Sequence, residues 1–310
     1  MDTLNACAFL PPMAYTLEKW SLRAAVQLAT ILPKHLLYKP VRTSSRQYTK
    51  QHRSPLHMLF KGFNHNTRNI EKIPPKPCNL AKRGKIPFTI SITDSKEASE
   101  EEAHMAKEVI KVYSDGSVIK GKVGAAALLT HEDHTQRILH YHLGPEGEHT
   151  VHKAELIGIL LAIQLAKTEC TVSTPIAIRA DNQVALVVFT SDLKSPAHNI
   201  TREILCQATF LQKCKGCKNH PLVLQWTVGH VGILGNERAD KEAKRAMEGK
   251  TSDKSLLPNF LRCMLTINPL AIKQKHNKEI NTHWENAWRS SVRGQGTLKI
   301  DNCTPSAHLL

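Results

Sequence analysis

The order of apolar runs predicts an α/β fold, a single mixed sheet with helices packed on it. Three observations carry that prediction. Between about residues 109 and 250, short apolar runs bounded by turn residues alternate with stretches of helical period. Their order is three strands, a helix, a strand, helices, a strand and a helix. The composition, 41% hydrophobic and 22% charged over 310 residues, is that of a chain with at least one packed core.

Each element has its own warrant. "VIKVYSD" (109–115) reads as a buried strand that ends on a carboxylate, and "VGAAALLT" (123–130) as a second strand. "QRILHYHL" (136–143) alternates like a half-exposed third, joined to the second by the polar turn "HEDH". "HTVHKAELIGILLAIQLAKT" (149–168) keeps a helical period throughout. "TPIAIRAD" (174–181) is a fourth strand, with a helix from Asn182 and another across 197–213. "PLVLQW" (221–226) is the fifth, and after a glycine-rich loop "NERADKEAKRAME" (236–248) closes as a helix.

The flanks differ in character, and four segments follow: 1–40, 41–108, 109–250 and 251–310. In the first, "EKWSLRAAVQLATIL" can line a broad apolar face with Trp20, Leu22, Ala25, Val26, Leu28 and Ala29, but nothing nearby offers a packing partner. The second is basic and broken by Pro55, Pro74, Pro75, Pro77 and Pro87, with the acidic stretch "DSKEASEEEAH" read as a linker or solvated helix. The fourth holds an amphipathic helix at 267–291, with Leu270, Ile280, Trp284 and Trp288 as packing residues.

Charge is unevenly placed. From Lys19 to Lys85 there are fifteen Lys and Arg against one acid, Glu71, which accounts for nearly all of the chain's +15. A basic extension beside a neutral domain suggests contact with phosphate backbones; a solvated basic linker is the plainer alternative. The start "MDTLNACAFLPP" lacks the basic-then-apolar order of a signal peptide, and "LIGILLAIQLA" (156–166) is too short to span a bilayer. The expectation is an intracellular, non-secreted protein, in nucleus or cytoplasm, whose eight cysteines are free thiols.

Four acids sit awkwardly. Asp115 and Asp181 follow buried strands, Glu155 shares a helical stripe with Ile159, Ile163 and Ala166, and Asp240 shares a face with Ala243 and Met247 among small residues and not solvent-facing lysines. Each has an ordinary explanation: an Asx turn for Asp115, the helix dipole for Glu155, an N-cap for Asp181. Converging on one sheet edge, however, they would repel strongly unless divalent cations neutralised them. Oxygen-only ligands suit Mg²⁺ or Mn²⁺, and two such ions about 4 Å apart serve phosphodiester cleavage.

"YSDGS", "KAEL", "RADNQ" and "GHVGILGNERADKEAK", in this order and on these elements, resemble type-1 ribonuclease H domains over about Val109 to Glu248. The resemblance implies a ribonuclease H-like five-stranded mixed sheet, its first three strands antiparallel and the last two parallel to the first, with helices on both faces. It implies metal-dependent hydrolysis of the RNA strand of RNA–DNA hybrids, with two Mg²⁺ ions or, alternatively, Mn²⁺. Carried over, Asp115 bridges both ions, Glu155, Asp181 and Asp240 supply the remaining ligands, and His230 assists product release from a mobile loop containing Gly229, Gly232 and Gly235. Hybrids are told apart by groove shape and ribose 2′-hydroxyls. By adjacency, the backbone around Gly116 and Ser117 and the side chains of Asn182 and Gln183 are the expected substrate contacts. Val228 departs from a common proline and Lys153 from a frequent acid.

The segments "LNACAFLPPMAYTLEKWSLRAAVQLATILPKHLLYKP" and "RQYTKQHRSPLHMLFKGF" resemble the region between polymerase and ribonuclease H in fungal non-LTR retrotransposon open reading frames. With no polymerase "YxDD" box present, the expectation is the C-terminal piece of a retroelement protein, with the polymerase portion of a parent protein as a partner. The rival reading is a folded, catalytically inactive nucleic-acid-binding remnant. Two other signals are set aside. Cys206, Cys214, Cys217 and His220 offer a single C-x-x-C and lack the paired spacing of a structural zinc site. His131, His134, His140 and His142 are explained by a polar hairpin and one face of an edge strand.

Overall fold

The computed structural model describes residues 12–46, 54–73, 86–105, 110–131, 136–169, 176–190, 197–213, 222–229, 232–292 and 295. These form two compact units, one of residues up to Lys72 together with those from Pro269 onward, the other running from Ile73 to Asn268.

The second unit contains the sheet. Its strands are β1 (Thr89–Ser91), β2 (Ile110–Ile119), β3 (Lys122–His131), β4 (Gln136–Pro145), β5 (Ile176–Ala180) and β6 (Leu222–Trp226), in the spatial order β1-β6-β5-β2-β3-β4. The sheet therefore has six strands and not the expected five. The extra one is three residues long, "TIS", too short to show an alternating pattern, and it pairs in parallel with β6. Antiparallel pairing joins β2 to β3 and β3 to β4, and parallel pairing joins β2 to β5 and β5 to β6.

A second correction concerns Asp115. It does not end its strand: β2 runs on to Ile119 and turns through Lys120 and Gly121, both at positive φ (51° and 75°). That is the backbone shape of a tight two-residue hairpin, which Gly121 adopts without strain.

Helices cover both faces. On one lies α5 (Val151–Thr168) and on the other α8 (Leu234–Met247), between which come α6 (Gln183–Val187) and α7 (His198–Lys213); α4 (Lys96–His104) precedes the sheet's central strands in sequence. Alternation along β2 assigns the faces. Gly116 meets the backbone of α5, whereas the Tyr113 ring lies against Gly235 of α8. The core between sheet and α5 is built from residues such as Val112, Leu129, Leu156, Ile159, Leu160 and Ile163, all fully buried. His140, read from the sequence as part of an open edge-strand face, is instead buried. Because α8 covers β4 there, its Nε2 sits 2.7 Å from Glu242 Oε2. The segment after α8 is part of this unit too: Ser252 N donates to His140 O, and Leu257, Leu261 and Leu265 enter the core.

The first unit comprises α1 (Met13–Ala29), α2 (Tyr38–Ser44), α3 (Pro55–Lys61) and α9 (Pro269–Ser290). The partner that the sequence near α1 does not offer is α9, which packs against it from the far end of the chain. Ala25, Val26 and Ala29 are buried, as are Ile280, Trp284 and Trp288. Trp20 and Leu270, expected to pack, are exposed. The C-terminal stretch set apart at 251–310 thus divides between the two units. Among the described residues, no helix is long and apolar enough to cross a membrane.

Candidate metal centre

Strand register brings the acids together. The parallel pairing of β2 with β5 ends at Ser114↔Ala180, so Asp115 and Asp181 are the next residues of two neighbouring strands at the same carboxyl edge. In parallel α/β sheets that edge is where ligands are bound. Glu155 arrives from α5. Thr150 caps that helix by accepting from Lys153 N at 3.2 Å, which fixes its start. Two glycines let it approach closely. A Cβ on Gly116 would collide with the backbone of Ala154 and Glu155, and one on Gly158 would lie 3.0 Å from Asp115 O. Only with hydrogen at both positions can helix and strand pass this near.

The result is a three-carboxylate group. Ligand oxygens of Asp115, Glu155 and Asp181 all lie within 4.8 Å of one another. Asp115 and Glu155 are 6% and 5% exposed, and Asp181 is half-buried. Burial, then the charges of Asp181 and Asp240, push the Asp115 carboxyl up to about 7, while the Gly116 N–H and Lys244 oppose the rise. Burial also holds Glu155 well above the usual carboxylate range, helped by Asp115 and Asp181 and opposed by hydrogen bonds from Asn182 and Gly116.

Asp240 stands near enough for its charge to act on Asp115 but lies outside the three-residue group. Its surroundings correct the sequence reading. Lys244, one turn on, donates to Asp240 Oδ2 at 2.6 Å, so the carboxylate is partly exposed and ion-paired with a surface lysine.

The expected substrate contacts are dispersed in role. Gly116 is buried under α5, with its N–H turned to the carboxylates. Asn182 is committed locally: its Oδ1 caps α6 by accepting from Ala185 N at 3.2 Å, and its Nδ2 lies 3.5 Å from Glu155 Oε1. The N-cap foreseen for Asp181 is therefore filled by its neighbour. Ser117 is half-buried and Gln183 exposed. His230 lies outside the described residues, as do Cys214, Cys217, His220 and His134. Gly229, next to it, fits closely: an added Cβ would stand 3.0 Å from Asp181 Oδ2.

Sequence reading missed a clamp behind Asp181. Trp226 Nε1 donates to Asp181 O and Thr227 N to Ala180 O, each at 2.9 Å. Ser99 on α4 holds this strand end from outside, its Oγ donating to Trp226 O at 3.3 Å and accepting from Val228 N at 3.1 Å. Ser99 is 1% exposed. The only hint in sequence is a small pair, Ala98 and Ser99, inside an acidic run.

Comparison with known proteins agrees with this architecture. The RNase H family model matches residues 107–248. Ribonuclease H of Rhizobium etli is 30% identical over 152 residues, covering 45% of this chain and 91% of that protein. Ribonuclease HI of Pseudomonas aeruginosa is 28% identical over 155 residues, covering 46% and 95%. A solved N-terminal RNase H domain from Mycobacterium tuberculosis is 18% identical and covers 44% of this chain and 98% of that one, at a TM-score of 0.34 that adds nothing to the assignment. With 91% of the Rhizobium protein covered at 30% identity, and the family model spanning Asp115, Glu155 and Asp181, the chain belongs to the ribonuclease H family.

Proposed function

We propose that this chain hydrolyses the RNA strand of RNA–DNA hybrids, with two Mg²⁺ ions, or Mn²⁺, held by Asp115, Glu155, Asp181 and Asp240. One observation carries the reading: three carboxylates, two of them nearly buried, brought within 4.8 Å of one another by two strands and a helix. Such a set is costly without a cation, as the raised pKa of Asp115 records, and its all-oxygen chemistry fits a hard divalent ion. Divalent ions bound there would activate the attacking water and stabilise the leaving oxygen of the phosphodiester.

The remaining roles fall to the chain. Asp115, whose carboxyl feels the charges of both Asp181 and Asp240, would serve both ions. Asn182 orients Glu155, and Trp226 holds the backbone of Asp181. Asp240 would exchange Lys244 for a cation. Ser117 and Gln183 are the accessible positions from which ribose 2′-hydroxyls can be read. His230, in its glycine-flanked loop, would assist product release. The reading extends to an intracellular protein derived from a retroelement polyprotein, with the polymerase portion as its other partner; its support is the motif order and the resemblance of the flanks.

The test is cleavage of an end-labelled RNA–DNA hybrid in Mg²⁺, beside single-stranded RNA and duplex DNA. The expected outcome is cutting of the RNA strand in the hybrid alone. Cutting of all three, or of none by a folded protein, sinks the proposal.

A further inference from the structure

The helical unit carries a concentration of positive charge that the carboxylate site does not use. Its α2 helix lines a hollow of about 560 Å³ together with the preceding and following turns, from Pro33, Tyr38, Lys39, Arg42, Thr43 and Arg46. Lys39, Arg42 and Arg46 follow at steps of four or less, so they share one side of the helix and the turn beyond it. Lys39 and Arg46 are exposed and Arg42 is half-buried.

Two cations here, Arg42 in the hollow and Lys72 beside Tyr38, are held in place. Tyr38 is the organiser: Arg42 lies over its ring at 5.4 Å to the centroid and Lys72 at 5.9 Å, and Arg42 Nη1 donates to the Tyr38 hydroxyl at 3.3 Å. Lys72 is fixed further by donating to the carbonyls of Ala29 and Thr67. Burial, then the charge of Arg42, push the Lys72 ammonium below its usual pKa. Two cations are thus kept within mutual repulsion by neutral partners, a ring and two carbonyls. An anion held at Arg42 would offset that repulsion, just as a cation would among the carboxylates of the other unit. From Lys19 to Lys85 the sequence supplies only Glu71 as an acid.

We propose that this hollow binds the phosphate backbone of a nucleic acid, with Lys39, Arg42 and Arg46 meeting phosphates. Guanidinium forks match phosphate oxygens in pairs. The strand pair bound is identified as an RNA–DNA hybrid only through the function proposed above; the phosphate chemistry stands without it. A second foothold on the same chain raises the effective concentration of hybrid at the carboxylates.

The test is binding of a fluorescently labelled RNA–DNA hybrid to the full chain in EDTA, over a series of salt concentrations, by anisotropy. Lys39→Glu with Arg46→Glu is compared with Lys61→Glu and Lys278→Glu, an equal charge change on exposed residues of the same unit that do not line the hollow. The expected result is affinity about tenfold or more weaker, and a salt slope shallower by about 2, for the first pair alone. Equal losses in both pairs would reduce the effect to net charge and overturn the site. No loss in either would overturn it too, and so would wild-type binding to anionic lipid vesicles in preference to hybrid. Because no cleavage is involved, a chain that binds as expected yet never cuts RNA would sink the ribonuclease proposal and leave this one standing.

Discussion

Asp115 and Asp181 lie one residue past the last parallel pair of β2 and β5, and that step puts two carboxylates side by side where the sheet stops shielding them. Glu155 joins them because Gly116 and Gly158 have no side chains to keep α5 away. The residue types of this group were legible in "YSDGS", "KAEL" and "RAD", and their convergence was expected from the order of the elements and the family resemblance, but not from any local pattern, since register and the helix approach set it. Asp240 shows the opposite case: its ion pair with Lys244 at i+4 could have been read from helical spacing alone. A pH prediction belongs to this scale. With a folded-state value of about 7 against an ordinary 3.8, Asp115 keeps a proton in the folded chain that the unfolded chain has already released. The contribution of Asp115 to metal-free stability is therefore fullest below about pH 4 and falls as pH rises to about 7, by on the order of 2–4 kcal/mol. Asp115→Asn removes that penalty. In EDTA the variant should unfold several degrees above wild type near pH 8 and no higher near pH 4, and Mg²⁺ should raise only the wild type; thermal scans decide it.

At the scale of elements, strands and helices with a clear period were readable, and short or mutually dependent pieces were not. The three-residue β1 has too little sequence to alternate, and the acidic α4 reads as solvated although its Ser99 is buried against the end of β6. Both precede the stretch that the family model covers, and β1 adds a strand to the sheet there. Ser99 joins that extension to the carboxylates through Trp226 and Asp181. Ser99→Ala should cost about 1–2 kcal/mol, since it leaves a buried carbonyl and N–H short of a partner. If the clamp positions Asp181, the variant should also bind Mn²⁺ more weakly by calorimetry, and Ser99→Thr should recover part of the loss. Unaltered Mn²⁺ affinity in a destabilised Ser99→Ala would reduce the clamp to simple packing.

Over the whole molecule, each unit is assembled from pieces that local sequence does not connect. Helix α1 gains its packing partner only from α9, at the other end of the chain, which is why its apolar face looked unpartnered. The sheet unit likewise draws on residues after α8, where Leu257, Leu261 and Leu265 enter the core and Lys153 Nζ donates to Thr266 O. A fragment spanning 86–268 should therefore fold and unfold cooperatively. One cut to the family match at 107–248 should lose several kcal/mol, since truncating even one buried leucine costs about 2–5; urea unfolding of the two fragments checks this. The central claim is that the carboxylate group makes this chain an enzyme and not a nucleic-acid-binding remnant. Its most direct test is the full chain beside Asp181→Asn, with hybrid cleavage in Mg²⁺ and hybrid affinity in EDTA measured on the same preparations. The account predicts that the variant binds as wild type does but cuts at least about 100-fold more slowly, because a ligand is lost and little volume changes. Equal cleavage by both, or binding without cleavage by either, would contradict it.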